Sequence, residues 1–174
     1  RDVAVTGVQT CALPIYSAGV PGGFYDSLTI VPPNDVAALE QALASRDVAA
    51  VIVEPTGAHW GTIPITPAYL HEMRRLTRET GALMIMDEVI TGFRMAPGGA
   101  QQKYGIMPDL ASFAKIVAGG LPGGCVGGRE EIVNFLELRE GDADWNSERR
   151  VSHQGTFNAN PVSAAAGIDR KSTR

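Results

Sequence analysis

Three residues with reactive side chains stand directly after short apolar runs. Asp87 closes Leu83-Met84-Ile85-Met86, Glu54 follows Val51-Ile52-Val53, and Lys115 follows Ser112-Phe113-Ala114, 28 positions after Asp87. A lysine amine can attack a carbonyl carbon to form an imine, and does so best when desolvation or a nearby cation lowers its pKa. A carboxylate set at the end of a buried apolar run is costly unless something positive meets it. A protonated heteroaromatic nitrogen would serve. The pair therefore suits a small aromatic cofactor with an aldehyde and a basic ring nitrogen. The residues alone equally allow an Asp87–Lys115 ion pair that only holds structure, since such pairs are common outside functional sites.

These side chains need a scaffold, and the pattern around them supplies one. Helical and extended stretches alternate, which predicts an α/β layer architecture. Asn34 is a candidate N-cap for a helix with Val36, Leu39 and Leu43 on one face. Ala49–Val53 reads as a short strand. Thr66 and Pro67 read as an N-cap and first-turn proline, opening a helix with Leu70, Met73 and Leu76 on one stripe and a stop at Gly81. Leu83–Met86 is an uninterrupted apolar run, as expected of a strand buried on both faces. Leu110–Phe113 and Gly124–Val126 are further candidate strands. Ile132, Val133, Phe135 and Leu136 suggest a helix face. Residues 139–150, rich in charge around Trp145, read as a solvated surface loop or lid, and Pro161 opens a last helix. In parallel α/β sheets ligands bind beyond the carboxyl ends of the strands, where Glu54, Asp87 and Lys115 all fall.

The two ends of the chain read differently from its middle. Thr10–Ile15 is TCALPI and Asp169–Arg174 is DRKSTR. One strand encoding the first, acg tgt gct ctt ccg atc, has a reverse complement that translates as the second. The longer run VTGVQTCALPI (5–15) has the look of a translated sequencing-library adapter. Residues 1–15 and 169–174 are therefore expected to be non-native and are set aside from the fold. Residues 16–168 are then expected to be the central part of a larger domain.

Composition narrows the classes. The full chain of 174 residues carries a net charge of −4, and −6 once Arg1, Asp2, Asp169, Arg170, Lys171 and Arg174 are set aside. A mildly acidic chain does not read as a nucleic-acid binder, and no apolar run reaches membrane-spanning length. Of the two cysteines, Cys11 lies in the excluded end, so Cys125 has no internal partner and a disulfide-stapled secreted fold is not indicated. His59, His71, His153 and Cys125 lack metal-ligand spacing, so no metal site is expected. No phosphate-binding P-loop, dinucleotide fingerprint or serine nucleophile elbow is present.

The words around the three residues carry more. DEVITGFR (87–94), SFAKIVAGGLPGG (112–124) and GTFNANP (155–161), in this order, resemble the class III aminotransferases, and within them the glutamate-1-semialdehyde aminomutase-like branch. The resemblance spans nearly all of 17–168, including Pro33-Asn34-Asp35. It implies a three-layer α/β fold with a parallel-rich sheet, here part of the large domain of a fold-type I transferase dependent on pyridoxal 5'-phosphate. Lys115 would be the lysine that forms the cofactor imine and shuttles protons between substrate carbons. Asp87 would pair with the pyridine nitrogen, and Val89 would pack on the ring face. Thr156 would reach the cofactor phosphate of a neighbouring subunit, so a homodimer with shared sites is implied. Gly119-Gly120-Leu121-Pro122 would let backbone pass close to cofactor and partner. The family's aminomutases carry asparagine five residues after the glutamate of the Glu-Pro word. Here that position is His59, which could donate to the ring oxygen or face a substrate carboxylate. Glu54 joins the expected cofactor-binding set. The resemblance thus implies a cytoplasmic aminotransferase or relaxed aminomutase acting on a small amino substrate. A decarboxylase or racemase of the same fold, or a non-catalytic truncated product, are the alternatives.

Overall fold

In the computed structural model, residues 3–6, 22–57 and 63–172 are described. Six strands form one sheet in the order β2-β1-β3-β4-β5-β6. They are β1 (Val3–Thr6), β2 (Leu28–Ile30), β3 (Val48–Val53), β4 (Leu83–Asp87), β5 (Leu110–Phe113) and β6 (Cys125–Gly128). The first five pair in parallel, and β6 runs antiparallel to β5. The helices are α1 (Val36–Leu43), α2 (Pro67–Thr80), α3 (Gly99–Tyr104), α4 (Glu130–Val133) and α5 (Pro161–Ser172). The mostly parallel α/β sheet expected from the alternating pattern is thus present. Val3–Thr6, inside the stretch set aside above, lies between β2 and β3.

The helix boundaries follow local chemistry. Thr66 caps α2, its Oγ1 accepting from the Tyr69 amide, and Gly81 ends the helix in the left-handed conformation at φ 80°. The cap of α1 falls one residue later than expected. Asp35, not Asn34, accepts from the Ala38 amide at 2.9 Å. Asn34 instead reaches across to the start of α2, donating to the Pro64 carbonyl and accepting from the Thr66 amide, both at 2.8 Å. The Pro33-Asn34-Asp35 word thus starts one helix and clamps the entry to the next.

The core lies on one side of the sheet. Leu39 and Leu43 of α1, Leu70 and Met73 of α2, Ala100 of α3, and Val51, Val53, Met84 and Met86 of the strands form one buried cluster. The other face differs from expectation. On β4, Met84 and Met86 are fully buried while Leu83, Ile85 and Asp87 are half-buried. The parallel register places Ile52 beside Ile85 and Ile85 beside Leu110, so this second, half-covered face continues across three strands. The apolar run was expected to be enclosed on both sides. Among the described residues, α1, α2 and α3 enclose only one.

Two regions carry order that the sequence did not announce. Asp109, ahead of β5, is buried, yet it gathers Arg74 of α2 at 2.6 Å, the Met84 amide of β4 at 2.7 Å and Arg129 after β6 at 2.9 Å. The charged stretch 139–150 is organised rather than simply solvated. Trp145 is 7% exposed, donates its indole N–H to the Glu137 carbonyl at 2.9 Å, and lies 3.5 Å beneath the Arg139 guanidinium. Phe135 adds a ring contact at 5.3 Å. An aromatic ring and its cation build a small satellite cluster inside a run that reads as polar. Among the described residues, no helix is long and apolar enough to cross a membrane.

Candidate active site

Strands β3, β4 and β5 are parallel neighbours, so Glu54, Asp87 and Lys115 arrive at the same edge of the sheet. Val53 and Met86 are register partners, which carries Glu54 and Asp87 to the same level one residue later. Val53 and Met86 face the buried core, so strand alternation sends the two carboxylates to the half-covered face. Asp87 is the register partner of Ser112, which brings a hydroxyl to that face.

Asp87 is half-buried. Its Oδ1 accepts from the Val89 amide at 2.9 Å and from Ser112 Oγ at 3.4 Å. Its Oδ2 accepts no hydrogen bond among the described residues. Val89 therefore meets Asp87 through its backbone. β4 ends at Asp87, and Val89 lies in the turn that follows. Glu54 is also half-buried, with the Thr56 hydroxyl 2.8 and 2.6 Å from its two oxygens. Burial pushes the Glu54 carboxyl above its usual range, the Thr56 hydrogen bonds oppose this, and the neighbouring Asp87 charge adds to the rise.

Lys115 is exposed and opens a short 3-10 turn, Lys115–Ala118, immediately after β5. Its φ is 49°, a left-handed conformation unusual for a residue with a side chain. Among the described residues no ion pair joins Lys115 to Asp87, so the purely structural pair that the sequence allowed is not formed. Glu88, one residue from Asp87, has the opposite fate. It is 1% exposed and accepts from Thr91 Oγ1 and the Ala100 amide at 2.7 Å and from the Gln101 amide at 3.0 Å. A side chain on Gly99 would collide with this carboxylate, so glycine is required there. Glu88 thus anchors α3 to the end of β4.

Thr156 lies elsewhere. It is exposed in the turn before α5, and no described hydrogen bond links it to Asp87 or Lys115. Asn160 caps α5, accepting from the Val162 amide at 2.9 Å, and Ser163 Oγ donates to the Pro122 carbonyl at 2.7 Å. Gly119 sits at φ 63° and packs so near Ala166 that a Cβ would stand 2.8 Å from its carbonyl oxygen. The glycine-rich turn behind Lys115 therefore docks against α5 of its own chain. A groove of about 590 Å³ opens between these segments, walled by Ala118, Cys125, His153, Asn158 and Ser163. His71 and Arg94 are exposed, and His153 accepts from Asn158 through its carbonyl. His59 and Trp60 lie outside the described residues. Ser112 and Thr56 are the site residues the sequence did not single out. Only the strand register reveals one, and only the folded loop reveals the other.

A parallel α/β sheet with two carboxylates and an exposed lysine at the carboxyl edge defines a class in which sheet-edge residues receive a ligand. The chain belongs to the class III aminotransferases. The sequence model of that family, described as Aminotransferase class-III, matches residues 23–170. The chain is 47% identical over 154 residues to a glutamate-1-semialdehyde 2,1-aminomutase of Ignicoccus hospitalis, covering 87% of this chain and 34% of that protein. It is 44% identical to the protein of the same name from Methanothrix thermoacetophila, covering 95% of this chain and 36% of that one. Among solved structures, an omega-transaminase from Sphaerobacter thermophilus superposes with a TM-score of 0.81 at 32% identity, over 98% of this chain and 43% of that one. A glutamate-1-semialdehyde-aminomutase from Pseudomonas aeruginosa in complex with PMP gives a TM-score of 0.76 at 27% identity, over 97% of this chain and 41% of that one. The chain spans about a third of the length of the curated relatives it matches.

Proposed function

We propose that the chain is the cofactor-holding centre of an enzyme that moves an amino group on a small amino acid or amino-aldehyde using pyridoxal 5'-phosphate. One observation carries this reading. Three neighbouring strands deliver Glu54, Asp87 and Lys115 to one sheet edge, with Asp87 Oδ2 and the Lys115 amine both free of described partners. A half-buried carboxylate oxygen with no donor fits a protonated ring nitrogen, and an exposed amine on the next strand fits an aldehyde. When bound, the cofactor supplies an electron sink that lowers the cost of breaking bonds at the substrate's amino carbon.

The chain's own residues do the rest. Asp87 would hold the ring nitrogen protonated, and Ser112 and the Val89 amide keep its carboxylate oriented. The Val89 side chain would pack on the ring. Lys115 Nζ would hold the cofactor at its aldehyde and would move a proton between substrate carbons. Its place at the start of a rigid 3-10 turn fixes where the amine emerges. The role proposed for His59 is to donate to the ring oxygen or to meet the substrate carboxylate. Its difference from the asparagine of the aminomutases favours an aminotransferase or relaxed aminomutase over a strict glutamate-1-semialdehyde aminomutase. Thr156 serves the phosphate of a second subunit in a homodimer.

The chain works within a whole protein of the length of its relatives, is inactive alone and is cytoplasmic. Residues 1–15 and 169–174 are translated adapter, and sequencing the gene from independent template is expected to read other codons there.

Borohydride reduction of the whole protein with pyridoxal phosphate, followed by peptide mapping, tests the assignment. The label is expected on Lys115. Label on Lys103 instead would sink it.

A further inference from the structure

We propose that Glu54 is a positioning residue for Asp87: a second carboxylate, on the neighbouring strand end, that strengthens the site's preference for a positively charged ring nitrogen. This rests on the cofactor reading above and goes beyond it, because it assigns Glu54 a role exerted through Asp87 rather than by contact with the cofactor.

Geometry carries the argument. The register of β3 with β4 sets Glu54 level with Asp87, and strand alternation points both to the half-covered face. Among the described residues, each carboxylate is held by neutral donors. Glu54 receives the Thr56 hydroxyl, and Asp87 receives the Val89 amide and the Ser112 hydroxyl. No described ion pair neutralises either one, and the amine on the next strand end, Lys115, bonds to neither. Two like charges left facing each other in a partly desolvated site raise each other's cost. Burial pushes the Glu54 carboxyl up, and the Asp87 charge adds a smaller upward part. A cation arriving at Asp87 relieves both burial and repulsion at once, whereas a neutral ring relieves neither. Thr56 reaches both Glu54 oxygens and so holds that charge in one orientation.

The test compares two probes in the whole protein: pyridoxamine phosphate, which has the ring nitrogen but no aldehyde to bond Lys115, and its carbocyclic analogue, in which a C–H replaces that nitrogen. Glu54→Gln, which keeps shape and hydrogen bonding, is expected to weaken pyridoxamine phosphate about tenfold, the effect of one pKa unit, and to leave the analogue unchanged. The double variant with Asp87→Asn should bind no worse than Asp87→Asn alone, since the effect passes through Asp87. If Glu54→Gln does not fold, Thr56→Val, which releases the carboxylate without removing it, should shift the two probes in the same unequal way. Equal loss for both probes would make Glu54 merely structural and overturn the proposal, as would no loss for either. Failure of the unaltered protein to bind pyridoxamine phosphate would overturn the cofactor reading itself, and this inference with it.

Discussion

Neighbours in sequence can have opposite fates at a strand end. Asp87 turns to the half-covered face with one oxygen unpartnered among the described residues, and Glu88 turns into the protein and accepts several donors. The difference is the two-residue period of extended backbone, and it separates the residue proposed to meet a ligand from the residue that fixes its position. In the whole protein, Asp87→Ala is expected to cost roughly 3 kcal/mol of transition-state stabilisation, about a hundredfold in rate, because the ring nitrogen loses its partner. Asp87→Asn should fall nearly as far, since it keeps the shape and loses the charge. Steady-state turnover within a fewfold of normal in Asp87→Ala would remove the role. The left-handed φ of Lys115 belongs at this scale too. A strained backbone at the residue that carries the amine persists only where its surroundings hold it, and here the turn docks through Gly119 against α5.

At the scale of elements, Asp109 ties α2, β4, β5 and β6 at the end of the sheet away from the proposed site. Burial alone would raise its pKa, but the hydrogen bonds from Arg74, the Met84 amide and Arg129 outweigh burial and hold it below the usual carboxylate range. A depressed folded-state pKa means that its contribution is fully present above the ordinary aspartate value, about 3.9, and is lost as pH falls through the lower folded value. Chemical denaturation is therefore expected to show stability falling below about pH 4, with a shallower acid loss in Asp109→Asn. That variant should also be less stable near neutrality by about 3 kcal/mol, because Arg74, which is largely buried, keeps its burial cost without its partner. An identical acid profile in the two proteins would show that Asp109 is not the linked group.

Elements of this kind mark the limit of what the sequence tells. The strands and helices that position Glu54, Asp87 and Lys115 were legible, because apolar periodicity, Thr66-Pro67 and Gly81 are local. The Asp109 cluster was not, because its four contributors lie far apart in sequence and meet only through the register. Trp145 was misjudged for a related reason. Charge density predicts exposure, but Arg139 covers the ring with its guanidinium. The shift of the α1 cap from Asn34 to Asp35 reflects Asn34 being recruited by the entry to α2.

For the whole molecule, the segment after β6 bears on assembly. Phe157, Val162 and Ile168 are 67%, 65% and 69% exposed, the first in the turn that carries Thr156 and the other two on α5. Exposed apolar side chains on this segment suit a subunit contact, in line with the proposed homodimer. Mixing whole-protein subunits bearing Lys115→Ala with subunits bearing Thr156→Ala is expected to restore part of the lost activity, since one hybrid site then has both residues. No recovery, with subunit exchange demonstrated by mass, would argue that each site is built from a single chain.

The division of the sheet into an enclosed face and a half-covered face also bears on how such a protein can change over time. Along β3, β4 and β5, one parity of positions faces the packed core and the other faces the proposed site. Val51, Val53, Met84 and Met86 are constrained by volume, because each fills space that no neighbour can surrender. Ile52, Ile85 and Ser112 stand on the opposite parity, beside the carboxylates, with room around them. Heritable variation can therefore accumulate at alternate positions of the same short strands and explore new specificities while the packed parity preserves the scaffold.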